Sequence, residues 1–191
     1  MNSLAEFIAY AKQNQTKMQY GSPGAGTPNH LACALLNAAI GTDITHIPYR
    51  GGGPVMQDLI AGRIDFWCSG SANAIPQIES KTIKAIAILS EQRSQSLPEL
   101  ASAHEQGLTH FEAGAWTAFF LPKATPSAII RKLNDDAVAI METQTVRDRL
   151  NDLGATVVAP ERRSPEYLRQ FVENEISKWA TVIKAAGVSV E

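Results

Sequence analysis

Long apolar runs are missing from these 191 residues: none approaches the ~20 that a membrane-spanning helix needs. Charge of one sign is missing too. The net charge is −2 and the tightest basic group, Arg162-Arg163, is two residues long, so nothing favours nucleic acid or an anionic membrane surface as a partner. Metal ligands are sparse. His30, His46, His104 and His110 form no HxH or HxxxH pair, and no cysteine stands near one at ligand spacing, so neither a metal nor another cofactor is expected. The two cysteines, Cys33 and Cys68, form no CxxC. Cys33 shares a helical face with Leu36 and Ile40, which makes a buried free thiol the default and a Cys33–Cys68 bond the alternative in an oxidising compartment. Residues 1–15, MNSLAEFIAYAKQNQ, have no basic start and carry Glu6 inside the apolar part. They read as an amphipathic helix with Leu4, Phe7, Ile8 and Ala11 on one face, not as a signal peptide. Catalytic patterning is equally thin. Ser22 lacks a GxSxG setting, Asp135-Asp136 diverge on a helix, and no nucleophile–base pair or triad can be read.

What is present is glycine in clusters. Residues 20–30, YGSPGAGTPNH, crowd Gly21, Gly24 and Gly26 around Ser22, then place Thr27-Pro28 as N-cap and first residue of a helix. Such a turn aims main-chain donors and the positive end of the helix dipole at one spot, which suits an anion. A Walker A loop is excluded because Thr27-Pro28 stands where Lys and a hydroxyl are needed, and Asn29 replaces the third glycine of a dinucleotide fingerprint. Capping alone is routine here, since Thr125-Pro126 and Ser164-Pro165 repeat the device. A ligand cradle and a plain tight turn both remain open.

The order of elements predicts βαβ units. After the first helix come extended KMQY, the glycine turn, a helix over about 27–40 closed by Gly41, and a strand ITHIPY. The turn RGGG then leads to a helix from Pro54 to Gly62, followed by a strand IDFWC, a small-residue stretch SGSANAIPQIES and a strand IKAIAIL. The loops GSPGAGT, RGGGP and SGSAN are expected to meet at the carboxyl ends of the strands, where ligands collect on such sheets. Later, SLPELASAHEQGL reads as a surface segment with a helix, AWTAFFLP and GATVVAP as strands. Ile129, Leu133, Ala137 and Ile140 mark one helix face. Leu168, Val172, Ile176, Trp179, Ile183 and Ala186 mark a long helix running from Ser164 towards Gly187, with Trp179 expected in the core.

The stretches YGSPGAGTPNHLA, HIPYRGGGPVMQDLIAGRIDF, IKAIAILS, WTAFFLPKATPSAIIRKLND, LGATVV and EISKWATVIKAAGV together resemble the Bug-type receptors, the periplasmic solute-binding proteins of tripartite tricarboxylate transporters. The resemblance implies an α/β, two-lobed type II "Venus flytrap" with mostly parallel sheets, incomplete here. It implies a largely complete second lobe over residues 1–112 and a returning half of the first lobe over 113–191. It further implies a periplasmic location, a small carboxylate ligand (a di- or tricarboxylate or an aromatic acid), and membrane permease subunits as partners. Carried over by position, Ser22, Gly24, Ala25, Gly26 and Thr27 match the carboxylate-cradling turn. Pro48, Tyr49, Arg50 and Gly51 match a PYKG stretch with Arg for Lys. Ser69 falls where relatives carry an acidic residue, which disfavours an ammonium-bearing ligand, and Gly70-Ser71 also depart from the pattern. Trp116 matches a Trp that either walls the cleft or fills a core. Two other classes stay in view: the effector domain of a LysR-type regulator, which would need a preceding helix-turn-helix, and an enzyme acting at the glycine turn, which would need the missing nucleophile–base pair.

Overall fold

In the computed structural model, which describes residues 1–185, the chain divides into two compact units. One comprises Met1–Ala115 with residues from Val182 on, the other Trp116–Thr181.

The first unit is built on a small parallel sheet. Strand β1 (Gln19–Ser22) pairs with β2 (Thr45–Pro48) in the register Gln19 to Thr45 and Ser22 to Pro48. On its other side β1 meets the chain again through a parallel bridge from Tyr20 to Phe66. There Gly21 N–H donates to the Phe66 carbonyl at 3.1 Å and Asp65 N–H to the Gln19 carbonyl at 2.9 Å. The predicted strand IDFWC is thus reduced to a bridging segment. Helix α1 (Leu4–Asn14) buries Leu4, Phe7 and Ala11, the face its spacing predicts, with Ser3 as N-cap. Helix α2 (Pro28–Ile40) runs between the predicted stops: Thr27 caps it, and Gly41 closes it in the left-handed region at φ 69°. Helix α3 (Gly52–Ile60) follows β2, and α4 (Ser71–Glu79) follows the bridging segment. Leu4, Phe7, Met18, Tyr20, Leu36, Ile40, Ile44, Ala103 and Phe111 form one core.

That core also holds a correction. Cys33 and Cys68 are not free thiols but a disulfide, with Cα atoms 5.5 Å apart across 35 residues. The bond ties α2 to the segment entering α4. Asn29 reinforces the same junction, its side-chain amide donating to the Cys68 carbonyl at 2.7 Å.

Several expected elements differ. SGSANAIPQIES contains helix α4, which tolerates Pro76 within it. IKAIAIL forms only a bridge, Ile88 to Ser102, and SLPELASAHEQGL contains turns and no helix. AWTAFFLP and GATVVAP form no strand; neither finds a ladder partner among the described residues.

The second unit is helical: α5 (Ser127–Met141), α6 (Gln144–Asp152) and most of α7 (Pro165–Ala185). Ser164 serves α7 as foreseen, its Oγ accepting from Tyr167 N–H at 3.0 Å, whereas α5 starts after Pro126 with no side-chain cap. The expected apolar faces exist but are only partly covered. Ile129, Leu133 and Ile140 of α5 are exposed, as are Ile176 of α7 and Phe119, which is 78% accessible. Trp179 is half-buried, its indole N–H donating to Glu175 at 3.0 Å, so it is not a core residue. Ala186 and Gly187 lie outside the described residues.

Candidate functional site

Because β1, β2 and the bridging segment are parallel, their carboxyl ends point the same way. The loops 23–27, 49–51 and 69–70 therefore open on one rim, each feeding a helix N-terminus. The rim is the candidate site.

One part of it, the turn over Ser22–Thr27, is closed largely upon itself. Ser22 is fully buried. Its hydroxyl donates to the Gly24 carbonyl at 2.8 Å, accepts from Gly24 N–H at 3.2 Å, and lies 2.7 Å from Nε2 of His46. A hydroxyl has one hydrogen and two acceptor sites. With that hydrogen on Gly24, the His46 contact is an Nε2–H donating to Ser22. Serine and histidine do meet here, a pairing the sequence did not disclose. Ser22 is buried and its hydroxyl is engaged on both sides by Gly24, so the pair holds the turn.

Further along, Gly26 N–H donates to Nδ1 of His30 at 3.0 Å, and Thr27 N–H to the Gly24 carbonyl at 3.3 Å. Thr27 Oγ1 donates to that carbonyl at 2.7 Å and accepts from His30 N–H at 3.4 Å, the helix cap. Gly26 sits at φ 73° and Gly51 at φ 108°, conformations that demand glycine. Most amides expected to be aimed outward are thus spent inside; among the described residues only Ala25 N–H of the turn is not so engaged.

Helices α3 and α4 differ. Both begin at a glycine, Gly51 and Gly70, with no side-chain cap, so the amides of Gly52, Gly53, Ser71 and Ala72 face outward from the first turns. The two ends are close: a Cβ on Gly52 would sit 3.3 Å from the Trp67 ring and 3.9 Å from Nδ2 of Asn73. The Trp67 indole N–H is buried without a partner among the described residues. Gly52, Gly53, Trp67 and Asn73 are the positions sequence reasoning passed over, although each lies within three residues of a strand end or a glycine N-cap.

Other expected residues divide. Tyr49 N–H extends the ladder to the Ser22 carbonyl at 2.9 Å, and its hydroxyl donates to Asp58 at 2.9 Å; burial and that hydrogen bond raise its pKa. Arg50 is exposed, and Gly51 N–H donates to the Pro23 carbonyl at 3.2 Å, binding the second loop to the first. Ser69 is half-buried, its hydroxyl on the Gly70 carbonyl. Trp116 belongs to the other unit, 41% exposed, its ring against Phe171 and its N–H on Glu175 at 3.1 Å, so it fills no core. A groove of about 550 Å³ lined by Ile78, Lys81, Ile83, Lys84 and Leu97 lies away from the glycine loops. Among the described residues no three His, Cys, Asp or Glu side chains are grouped to hold a metal ion, and no helix is long and apolar enough to cross a membrane.

A model of the tripartite tricarboxylate transporter family receptor matches residues 1–188. The chain belongs to this receptor family. Among relatives of the receptor is the UPF0065 protein in the TAR-I ttuE-ttuC' intergenic region of Agrobacterium vitis, 37% identical over 97% of this chain and 54% of the relative. Among solved structures, MatC of Rhodopseudomonas palustris with bound malate is 37% identical with TM-score 0.84, covering 95% of this chain and 62% of that one. The periplasmic binding protein BugD is 33% identical with TM-score 0.86, covering all of this chain and 64% of its own. The fold is that of the periplasmic binding proteins, α/β with a small parallel sheet. The chain spans little more than half the length of the Agrobacterium relative.

Proposed function

We propose that this chain is the ligand-holding part of an extracytoplasmic solute-binding protein that captures a small di- or tricarboxylate, or an aromatic acid, for a tripartite transporter. The observation that carries this reading is the rim itself: three parallel segments deliver three glycine-bearing loops to three helix N-termini with neutral main-chain donors. Oriented amides bind a carboxylate without a salt bridge. MatC, similar over nearly all of this chain, was solved with malate.

In this reading Ala25, the α3 and α4 amides and Arg50 address the ligand, while Ser22, Gly24, Gly26 and Thr27 hold the frame and Tyr49, Gly51 and Ser69 shape the adjoining loops. Residues 1–112 form the lobe bearing the site. Residues 113–191, with Trp116, form the returning half of the first lobe. The protein works in the periplasm, where the Cys33–Cys68 bond persists. It delivers its cargo to membrane permease subunits and does not transform it.

Calorimetric titration with malate, adipate, citrate and benzoate tests this, on the chain alone and joined to the equivalent of the relatives' remaining segment. Saturable binding of at least one acid by the joined protein, weakened in the chain alone, is expected. No binding by the joined protein, or stoichiometric excess of acid converted to product, would defeat the reading.

A further inference from the structure

The rim turn rests on two stacked histidines. The rings of His30, on α2, and His46, on β2, lie 3.7 Å apart and within 9° of parallel. Tyr20 of β1 stacks beside both, at 6.2 Å from His30 and 5.0 Å from His46. His30 is buried.

We propose that His30 and His46 are positioning residues of the Ser22–Thr27 turn, which keeps its shape only while His30 is neutral. This rests on the reading of that turn as the frame of a carboxylate site, and adds a proton-dependent control to it.

The geometry demands neutrality at His30 and allows the stacked pair no second charge. His30 Nδ1 accepts the Gly26 N–H at 3.0 Å, which requires a lone pair there. A proton on Nδ1 sets two donors face to face and cuts the tie between Gly26 and α2. His46 donates Nε2–H to Ser22, so its remaining nitrogen is the one that takes a proton. Two imidazolium rings stacked at 3.7 Å would repel one another. The groups facing the pair are the Tyr20 phenol on β1, the Ser22 hydroxyl and the Thr27 cap. Among the described residues the acid bearing on this cluster is Asp43, which acts at Tyr20. Among the described residues no carboxylate pairs with either ring, so a charged ring has no counterion. In keeping with this, burial lowers the pKa of His30, and burial and then the neighbouring His30 bring that of His46 to about 4.

The test is nuclear magnetic resonance on the isotope-labelled full chain, following the Gly26 amide and the ring nitrogens of both histidines from about pH 7.5 to about pH 4. Malate affinity is measured over the same range. The Gly26 amide is expected to shift with the midpoint of His30, and malate affinity to fall roughly three- to tenfold on the same curve, the worth of one lost hydrogen bond. His30→Asn offers Oδ1 as an acceptor that does not titrate, and should flatten the Gly26 curve and leave in the affinity only the change due to malate's own protonation. His46→Gln, which keeps a donor to Ser22 and removes the second titrating ring, should leave the Gly26 curve in place, and serves if His30→Asn does not fold: a Gly26 curve lost in His46→Gln would overturn the role of His30. A Gly26 amide that stays flat through the His30 titration, or titrates unchanged in His30→Asn, overturns the proposal even if malate binds. A Gly26 amide that tracks His30 while malate fails to bind at every pH upholds it, and removes the carboxylate reading instead.

Discussion

Opening the Cys33–Cys68 bond should cost this protein a large part of its stability. The bond closes a loop of 35 residues that contains α3, β2 and most of α2. Loop-closure entropy for that length, about 13 cal/mol/K, corresponds to about 4 kcal/mol at room temperature. The native junction should not reshape to recover this, because Asn29 already holds the Cys68 carbonyl and Cys68 N–H donates to Cys33 Sγ. Urea unfolding in a Trp116→Phe/Trp179→Phe background leaves Trp67, next to Cys68, as the fluorescent reporter of the first unit. With an ordinary urea dependence of about 2 kcal/mol per molar, reduction should lower the midpoint by roughly 2 M. The Cys33→Ala/Cys68→Ala pair should lower the midpoint at least as far as dithiothreitol does, since it also leaves a cavity and takes the acceptor from Cys68 N–H. Midpoints that coincide between oxidised and reduced protein would refute the argument. So would two free thiols by mass in material secreted to an oxidising compartment.

Three further outcomes follow from the rim. Gly21→Ala places a Cβ 2.6 Å from Ile64 and 2.7 Å from Val55, both buried, and should cost about 1–3 kcal/mol in the same unfolding assay. Thr27→Ala removes the α2 cap and should cost about 1 kcal/mol; a loss of ligand affinity far larger than that would assign Thr27 a direct contact. Stability should also depend on pH. In the unfolded chain His30 and His46 take protons near the ordinary value of ~6.5, while folding lowers the pKa of both. The unfolded state therefore binds more protons below that value, so the melting temperature should be level above it and fall as pH drops towards 4, whereas a level profile would contradict the neutral stack.

What could be read from sequence was local. Helix α2 was bounded within a residue because its signals, Thr27-Pro28 and Gly41, act through bonds to their own neighbours. The face of α1 was legible for the same reason. Strands fared worse, since IDFWC, IKAIAIL and AWTAFFLP are β-rich in composition, but a ladder needs a partner from elsewhere in the chain. Phe66 finds a bridge to Tyr20, and the Trp116–Leu121 stretch finds no ladder among the described residues. Helix α4 hid behind Gly, Ser and Asn and an internal Pro76. At the site, glycine spacing located the turn but not its bookkeeping. That Ser22 would spend its hydroxyl on Gly24 and His46 depends on β2 lying beside β1, a contact 24 residues away that no motif encodes.

The closure of the Ser22–Thr27 turn upon itself divides labour along the rim. Its geometry is set by bonds among Ser22, Gly24, Gly26, Thr27 and the two histidines, with main-chain ties from Tyr49 and Gly51, and uses no side chain at the mouths of α3 and α4. Ser69, Ser71 and Asn73 can then be exchanged one at a time without unmaking the frame beside them. Under the proposed function, a handful of changed letters after Cys68 would suit such a lobe to a new cargo and leave the stretch from Tyr20 to His30 in place as scaffolding.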